Sequence, residues 1–188
     1  AAEVYEEALA HSIAVVASNK IATSDAQGRY EGLKELALRT GVEFRFETNV
    51  GAGLPLIDTI QHLVQSGDRI HKIEGMFSGT LNYVFSNFNS GITFKKVIED
   101  ARAAGLTEPD PRTDLSGVDV QRKILILARE AGYTLEMSDV AGKGFLLDSQ
   151  MEGSIDAFMD GLPQFVEAMQ EKWKEADAKG ERLKYEGS

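Results

Sequence analysis

Two hydrophobic periods alternate along the first half of the chain. Val4, Ala8 and Leu9 in "AEVYEEALAHS" recur at helical spacing, and the polar His11 and Ser12 then give way to a short apolar run, residues 13–17, of strand length. "SNK" at 18–20 closes that strand in turn-forming residues. Leu33, Leu36 and Ala37 return to the helical period in "YEGLKELALRTG", with Gly41 as its C-terminal stop. From Val42, "VEFRFETNV" alternates apolar and polar, which predicts a strand with one wet face or an edge strand.

Beyond Val50 the pattern is mostly helical. Leu56, Ile57, Ile60, Leu63 and Val64 define a helix entered through glycine and proline, and "RIHKIEGMFS" after Gly67 reads as a third strand. Leu81, Val84, Phe85 and Phe88 share a face in "SGTLNYVFSNF". In "TFKKVIEDARAAG", Thr93 is the expected N-cap and Gly105 the expected C-cap. "VDVQRKILILAREAG" is the strongest helix, and residues 154–184 read as an amphipathic helix through Phe158, Leu162, Phe165, Val166, Met169 and Trp173. The sum predicts an α/β (α+β) fold, a mixed sheet of at least three strands with helices packed on one face. At 188 residues the default is one domain, residues 1–188.

Composition narrows the partners. With 43% hydrophobic and 27% charged residues the chain has the make-up of a globular protein. A formal net charge of -10 repels phosphate backbones and anionic bilayers, so neither nucleic acid nor a membrane is an expected partner. The chain has no cysteine, which removes disulfides and thiolate chemistry and fits a reducing cytoplasm. No apolar run approaches membrane-spanning length and no signal-peptide pattern opens the chain. The beginning "AAEVYEE" and end "KYEGS" suggest a piece of a longer protein.

Several motifs compete as sites. "VGAGLPLI" at 50–57 follows a strand and opens a helix, as a dinucleotide loop does, but Leu56 stands where the third glycine belongs. A tight turn or an ion site built from backbone carbonyls remains open there. His11, His62 and His71 have no i, i+4 pairing, so a histidine metal site is not expected. Ser78 to Thr80 are first of all helix caps.

"GLTEPDPRTDLSGVDVQRK" at 105–123 differs in kind. Pro109 and Pro111 stiffen the loop and push Glu108 and Asp110 toward extended geometry. Asp114 lies four residues before Val118, near enough to cap that region, and Asp119 and Lys123 sit i, i+4 with the acid N-terminal, the favoured order for an ion pair. Val120, Ile124, Leu127 and Ala131 form the expected buried stripe, broadened by Leu125 and Ile126, which leaves Asp119 and Lys123 at its margin. Two readings stand: a lysine tuned by partial burial and carboxylates for proton transfer, or a snorkelling lysine in a surface ion pair.

The stretch "AGLTEPDPRTDLSGVDVQRK" resembles the signature of homoserine dehydrogenases. "SNK", "ETNVGAGLPLIDTI" and "IEGMFSGTLNYVFS" resemble further segments of that family in the same order, so the likeness runs from Ser18 to about Tyr133. "GLPQFVEAM" and "GERLKYEGS" are similar to the form fused to aspartokinase. The resemblance implies NAD(P)-dependent interconversion of L-homoserine and L-aspartate 4-semialdehyde, in threonine and methionine biosynthesis, by a homodimer. It implies that Lys123 is the acid/base, that Asp114 is a supporting catalytic carboxylate, and that Glu108 and Asp119 hold the substrate ammonium. By the same resemblance Lys20 and Gly105 lie on the cofactor side. Glu47, Val50, Ala52 and Leu54 match a monovalent-cation (sodium) site made of one acid and backbone carbonyls.

These roles agree with the residue chemistry, since an ammonium calls for carboxylates and a carbonyl becoming an alkoxide calls for a nearby acid. One departure is plain: the family's Rossmann fingerprint, G-x-G-x-x-G after a first strand, is absent from these 188 residues. The expectation is therefore a catalytic and dimerisation region, nearly inactive by itself. The competing class is a non-catalytic amino-acid-binding or dimerisation module, which has no need of Lys123.

Overall fold

The computed structural model describes residues 2–89, 91–142, 146 and 151–188, with 163–168 described by their backbone alone. The expected core positions Phe165 and Val166 therefore lie outside the described side chains. Eight α-helices appear among these residues: α1 (Tyr5–Ala10), α2 (Gln27–Thr40), α3 (Leu56–Gln65), α4 (Gly79–Asn87), α5 (Phe94–Ala103), α6 (Pro111–Leu115), α7 (Val118–Glu130) and α8 (Ile155–Ala178). Two short strands, β1 (Val15–Val16) and β2 (Phe44–Arg45), pair in parallel with Val15 opposite Phe44. Parallel strands need a crossover, and α2 supplies it. Gly41, at φ 71°, ends α2 in the left-handed conformation that an ordinary residue resists.

The chain gathers into two compact units, one of residues up to 77 with 120–141 and 188, the other of 78–119 with 142–187. In the first unit, Leu9 of α1 and Leu33 and Ala37 of α2 close over Val15 and Ala17. A second cluster joins Tyr30, Phe46, Val50, Ile57 and Ile60 to Ile126 and Leu127 of α7, with Phe77 packed against it. Phe44 bridges the two clusters through rings 6.0 Å from Tyr5 and 5.0 Å from Phe46.

The second unit is helical. Leu81, Val84 and Phe85 of α4, the expected face, are buried, as are Phe94, Val97, Ile98 and Ala101 of α5 and Phe158, Met159 and Leu162 of α8. Phe88 and Phe94 meet edge to face at 5.6 Å. Ser78, Thr93 and Ser154 each accept an N–H three residues on, so α4, α5 and α8 begin at side-chain caps.

The third expected strand does not form. Residues 69–77 do not join the sheet, which has two strands among the described residues. Alternation tells which side chains are wet, whereas a strand also needs a neighbour for its backbone groups. On α7, Leu125 and Ile126, expected to broaden the apolar arc, are fully buried, while Ile124 and Ala131 of the expected stripe are half-buried. Among the described residues no helix is long and apolar enough to cross a membrane.

Candidate functional site

Lys123 projects from the second turn of α7, half-buried between the apolar arc and the surface. Its ammonium donates to the main-chain carbonyl of Phe77 at 2.6 Å, a length typical of a charge-assisted hydrogen bond. Asp119 is half-buried one turn earlier on the same helix. The far end of α7 is fixed by polar contacts. Glu130 is buried and accepts hydrogen bonds from the Tyr30 hydroxyl, from Lys34 Nζ at 3.0 Å and from Gln61 Nε2 at 2.6 Å. Arg129, equally buried, donates to the carbonyls of Thr23 and Leu135 and lies over the Tyr30 ring. Burial lowers the proton affinity of its guanidinium, with Glu136 and Tyr30 opposing that shift.

Lys20 follows β1 in a loop held by its own backbone. Its carbonyl accepts from the hydroxyls of Thr23 at 3.1 Å and Ser24 at 2.7 Å. The buried Asn49 amide donates to Thr23 Oγ1 at 2.7 Å, which leaves the Thr23 hydrogen for the Lys20 carbonyl. Lys20 itself is half-buried.

Glu47 ends up as the cap of a helix. Its two carboxylate oxygens accept the N–H groups of Ile57 at 2.9 Å and Asp58 at 2.8 Å, satisfying the first turn of α3, which has no cap from Pro55. Between them the chain reverses through Gly51 and Ala52, at φ 82° and 52°. A Cβ on Gly51 would lie 2.5 Å from Leu56 Cδ1, so this glycine is required for space as well as conformation. The Leu54 carbonyl accepts the Leu56 N–H, whereas among the described residues the Val50 and Ala52 carbonyls accept no hydrogen bond.

In the second unit the carboxylate of Asp114 organises the acidic loop. Its Oδ2 accepts the Glu108 N–H at 2.8 Å and its Oδ1 lies 3.0 Å from Thr80 Oγ1, which also reaches the Leu106 carbonyl at 2.5 Å. Asp114 thus supports the backbone that presents the exposed Glu108 side chain. The cap of α6 is Asp110, which accepts the Arg112 N–H, with Pro111 at the first helical position. The buried Arg112 guanidinium returns to Asp110 and donates Nη1 to the carbonyls of Met151, Glu152 and Gly153 at 3.2, 3.2 and 3.0 Å. That hydrogen-bonded cation holds the Asp110 carboxyl below its usual range. Gly105, at φ 68°, follows α5, where the Leu106 N–H returns to Ala101, so a helix stop accounts for its conformation.

The sequence motif had no way to single out Phe77, whose backbone oxygen binds Lys123, because a carbonyl leaves no trace in residue type. Thr80 was legible only as part of a capping tripeptide. The structure joins Asp114 to Glu108 and Thr80, and Lys123 to Phe77. Among the described residues no group of three or more His, Asp and Glu side chains could hold a metal ion.

Residues 55–188 match the family model of homoserine dehydrogenase. The chain is 45% identical over 184 residues to the bifunctional aspartokinase/homoserine dehydrogenase 1, chloroplastic, of Zea mays, which covers 97% of this chain and 20% of that protein. In Haemophilus influenzae a bifunctional aspartokinase/homoserine dehydrogenase is 44% identical over 187 residues, covering 99% of this chain and 23% of the relative. Among solved structures, a homoserine dehydrogenase from Thiobacillus denitrificans superposes with a TM-score of 0.74 at 26% identity, over 98% of this chain and 38% of that one. A hyperthermophilic archaeal homoserine dehydrogenase in complex with NADPH gives 0.62 at 30% identity, over 69% of this chain and 40% of its own. The chain therefore spans about a fifth of the length of these bifunctional relatives, and it belongs to the homoserine dehydrogenase family.

Proposed function

We propose that this chain supplies the substrate-binding and proton-transfer part of an NAD(P)-dependent homoserine dehydrogenase, which interconverts L-homoserine and L-aspartate 4-semialdehyde. The observation that carries the reading is the Lys123 ammonium, half-buried and hydrogen-bonded at 2.6 Å, one helical turn from Asp119 within the family-matched region.

Homoserine brings an ammonium, a carboxylate and a primary alcohol. Glu108 and Asp119 are the partners for the ammonium, and Asp114 supports Glu108 through its backbone. In the reducing direction Lys123 gives a proton to the aldehyde oxygen as that oxygen becomes a hydroxyl, and in the oxidising direction it takes the proton back. The nicotinamide cofactor, when bound, supplies or receives the hydride. These residues offer it Lys20 and the Gly105 turn but no phosphate-binding glycine loop. The 188 residues alone are accordingly proposed to turn over homoserine very slowly. A monovalent cation such as sodium fits Glu47 and the carbonyls of Val50, Ala52 and Leu54, the first two carbonyls being free to accept it.

The parent protein is proposed to carry an aspartokinase portion, as the maize relative's name describes for that enzyme, and to act as a homodimer. A cysteine-free composition supports a reducing compartment such as the cytoplasm. The test is Lys123→Met in a full-length enzyme carrying this sequence. Homoserine oxidation should fall about a hundredfold or more, the usual worth of a positioned acid/base, with folding intact by circular dichroism. An unchanged kcat would leave the chain as an amino-acid-binding or dimerisation module.

A further inference from the structure

We propose that Gly75 and the main-chain carbonyl of Phe77 position the Lys123 ammonium for proton transfer, making 75–77 a working part of the site. The inference rests on Lys123 being the proton-transfer group. A lysine ammonium sits on a flexible four-carbon stem and carries three N–H donors, so without a fixed acceptor its orientation is spread over many rotamers. Here one N–H is given to Phe77 O at 2.6 Å, and this short contact is among those that fix the direction of the ammonium. A peptide carbonyl suits this task because it accepts a hydrogen bond and does not compete for the proton, as a carboxylate would.

The acceptor is itself held in register with the helix that carries the lysine. The Phe77 ring packs on the cluster that contains Ile57, Ile60, Ile126 and Leu127, and the last two belong to α7, one turn beyond Lys123. Beneath the ring lies Gly75. A Cβ at that position would stand 3.1 Å from Phe77 Cζ and 3.4 Å from both Cε atoms, closer than a methyl group and a ring ordinarily approach. Gly75 is not in the left-handed region, so what glycine supplies there is room for the ring. A methyl group at residue 75 requires the ring to give by a few tenths of an ångström, and the proposal is that this displacement reaches the carbonyl, two bonds from the Cβ that bears the ring.

The experiment is a cycle of Gly75→Ala and Phe77→Leu in a full-length enzyme carrying this sequence, read by steady-state homoserine oxidation. Gly75→Ala should lower kcat about fivefold with KM for homoserine within about twofold, since small displacements of a reacting group cost rate more than binding. In the Phe77→Leu background the same substitution should cost less than about twofold, because leucine lacks the distal ring atoms that the new methyl meets. An equal cost in both backgrounds, or no cost in either, overturns the proposal.

A second measurement needs no change in packing. Replacing Ser78 by its α-hydroxy analogue converts the Phe77 carbonyl to an ester carbonyl, a poorer acceptor, and should lower kcat several-fold. Wild-type kcat in the ester variant overturns the proposal even if Gly75→Ala does not fold. Lys123→Met separates the two readings. If it collapses kcat while the ester does nothing, only the positioning inference fails; if Lys123→Met is itself active, the function it rests on fails.

Discussion

The Tyr30 hydroxyl donates to the Glu130 carboxylate with both side chains buried, joining α2 to the C-terminal end of α7 across 100 residues of sequence. Burial first, and then the Glu130 charge, pushes the Tyr30 hydroxyl well above its ordinary range, so it stays a donor at every working pH. Lys34 reaches the same carboxylate from a side chain 41% exposed, which screens that ion pair and leaves the buried tyrosine as its dry partner beside the half-buried Gln61. Tyr30→Phe keeps the ring under Arg129 and removes the hydroxyl, which donates to Glu130 and accepts from Lys34 Nζ at 3.1 Å. It should cost about 2 kcal/mol in urea unfolding with an unchanged m-value, the usual worth of a hydrogen bond to a buried charge. A loss under about 0.5 kcal/mol would mean that water replaces the hydroxyl.

A pH dependence follows from Asp110 and Arg112. The hydrogen-bonded guanidinium depresses the folded-state pKa of Asp110 below its ordinary value of 3.8. A group with a lowered folded pKa contributes stability above its unfolded pKa and loses it as pH falls through the folded value, so the contribution is full near neutrality and disappears in acid below about pH 4. Asp110→Asn keeps a capping oxygen but no charge. It should leave a chain whose melting temperature is lower than wild type at about pH 7 and converges with it toward about pH 3. A constant gap across that range would mean that the Asp110 charge does not account for the difference.

What was readable in advance divides along physical lines. Helical faces were legible because burial repeats about every 3.6 residues: Leu33 with Ala37, Val97 with Ile98 and Ala101, and Leu81 with Val84 and Phe85 are all buried where the periodicity put them. Caps were legible where one residue makes them, as at Thr93 and Gly41. Long-range polar closure was not. Nothing in "ETNVGAGLPLIDTI" reveals that Glu47 turns back over ten residues to cap α3, and nothing near Ala128 reveals that Glu130 belongs to Tyr30 and Gln61. Residues 69–77 show the same limit, because their mixture of half-buried Ile70 and Ile73 with exposed Lys72 and Glu74 carries no information about a pairing partner.

Asp114 separates what a carboxylate does by shape from what it does by charge. Three oxygens converge there, those of the Leu106 carbonyl, the Thr80 hydroxyl and Asp114 Oδ1, and the Thr80 hydroxyl brings one hydrogen to share between the other two. An asparagine at 114 can still accept the Glu108 N–H with its oxygen while its NH2 group donates to Thr80, which is then free to donate to Leu106. Asp114→Asn should therefore keep the loop and leave the melting temperature within a few degrees of wild type. Asp114→Ala removes the acceptor of the exposed Glu108 N–H, which water can then solvate, and should cost about 1 kcal/mol. If the negative charge also helps hold the substrate ammonium, Asp114→Asn should raise KM for homoserine about tenfold in the full-length enzyme, roughly 1.4 kcal/mol of binding, with a smaller change in kcat. A wild-type KM in a stable Asp114→Asn enzyme would make this residue a support for the Glu108 backbone and would leave ammonium recognition to Glu108 and Asp119.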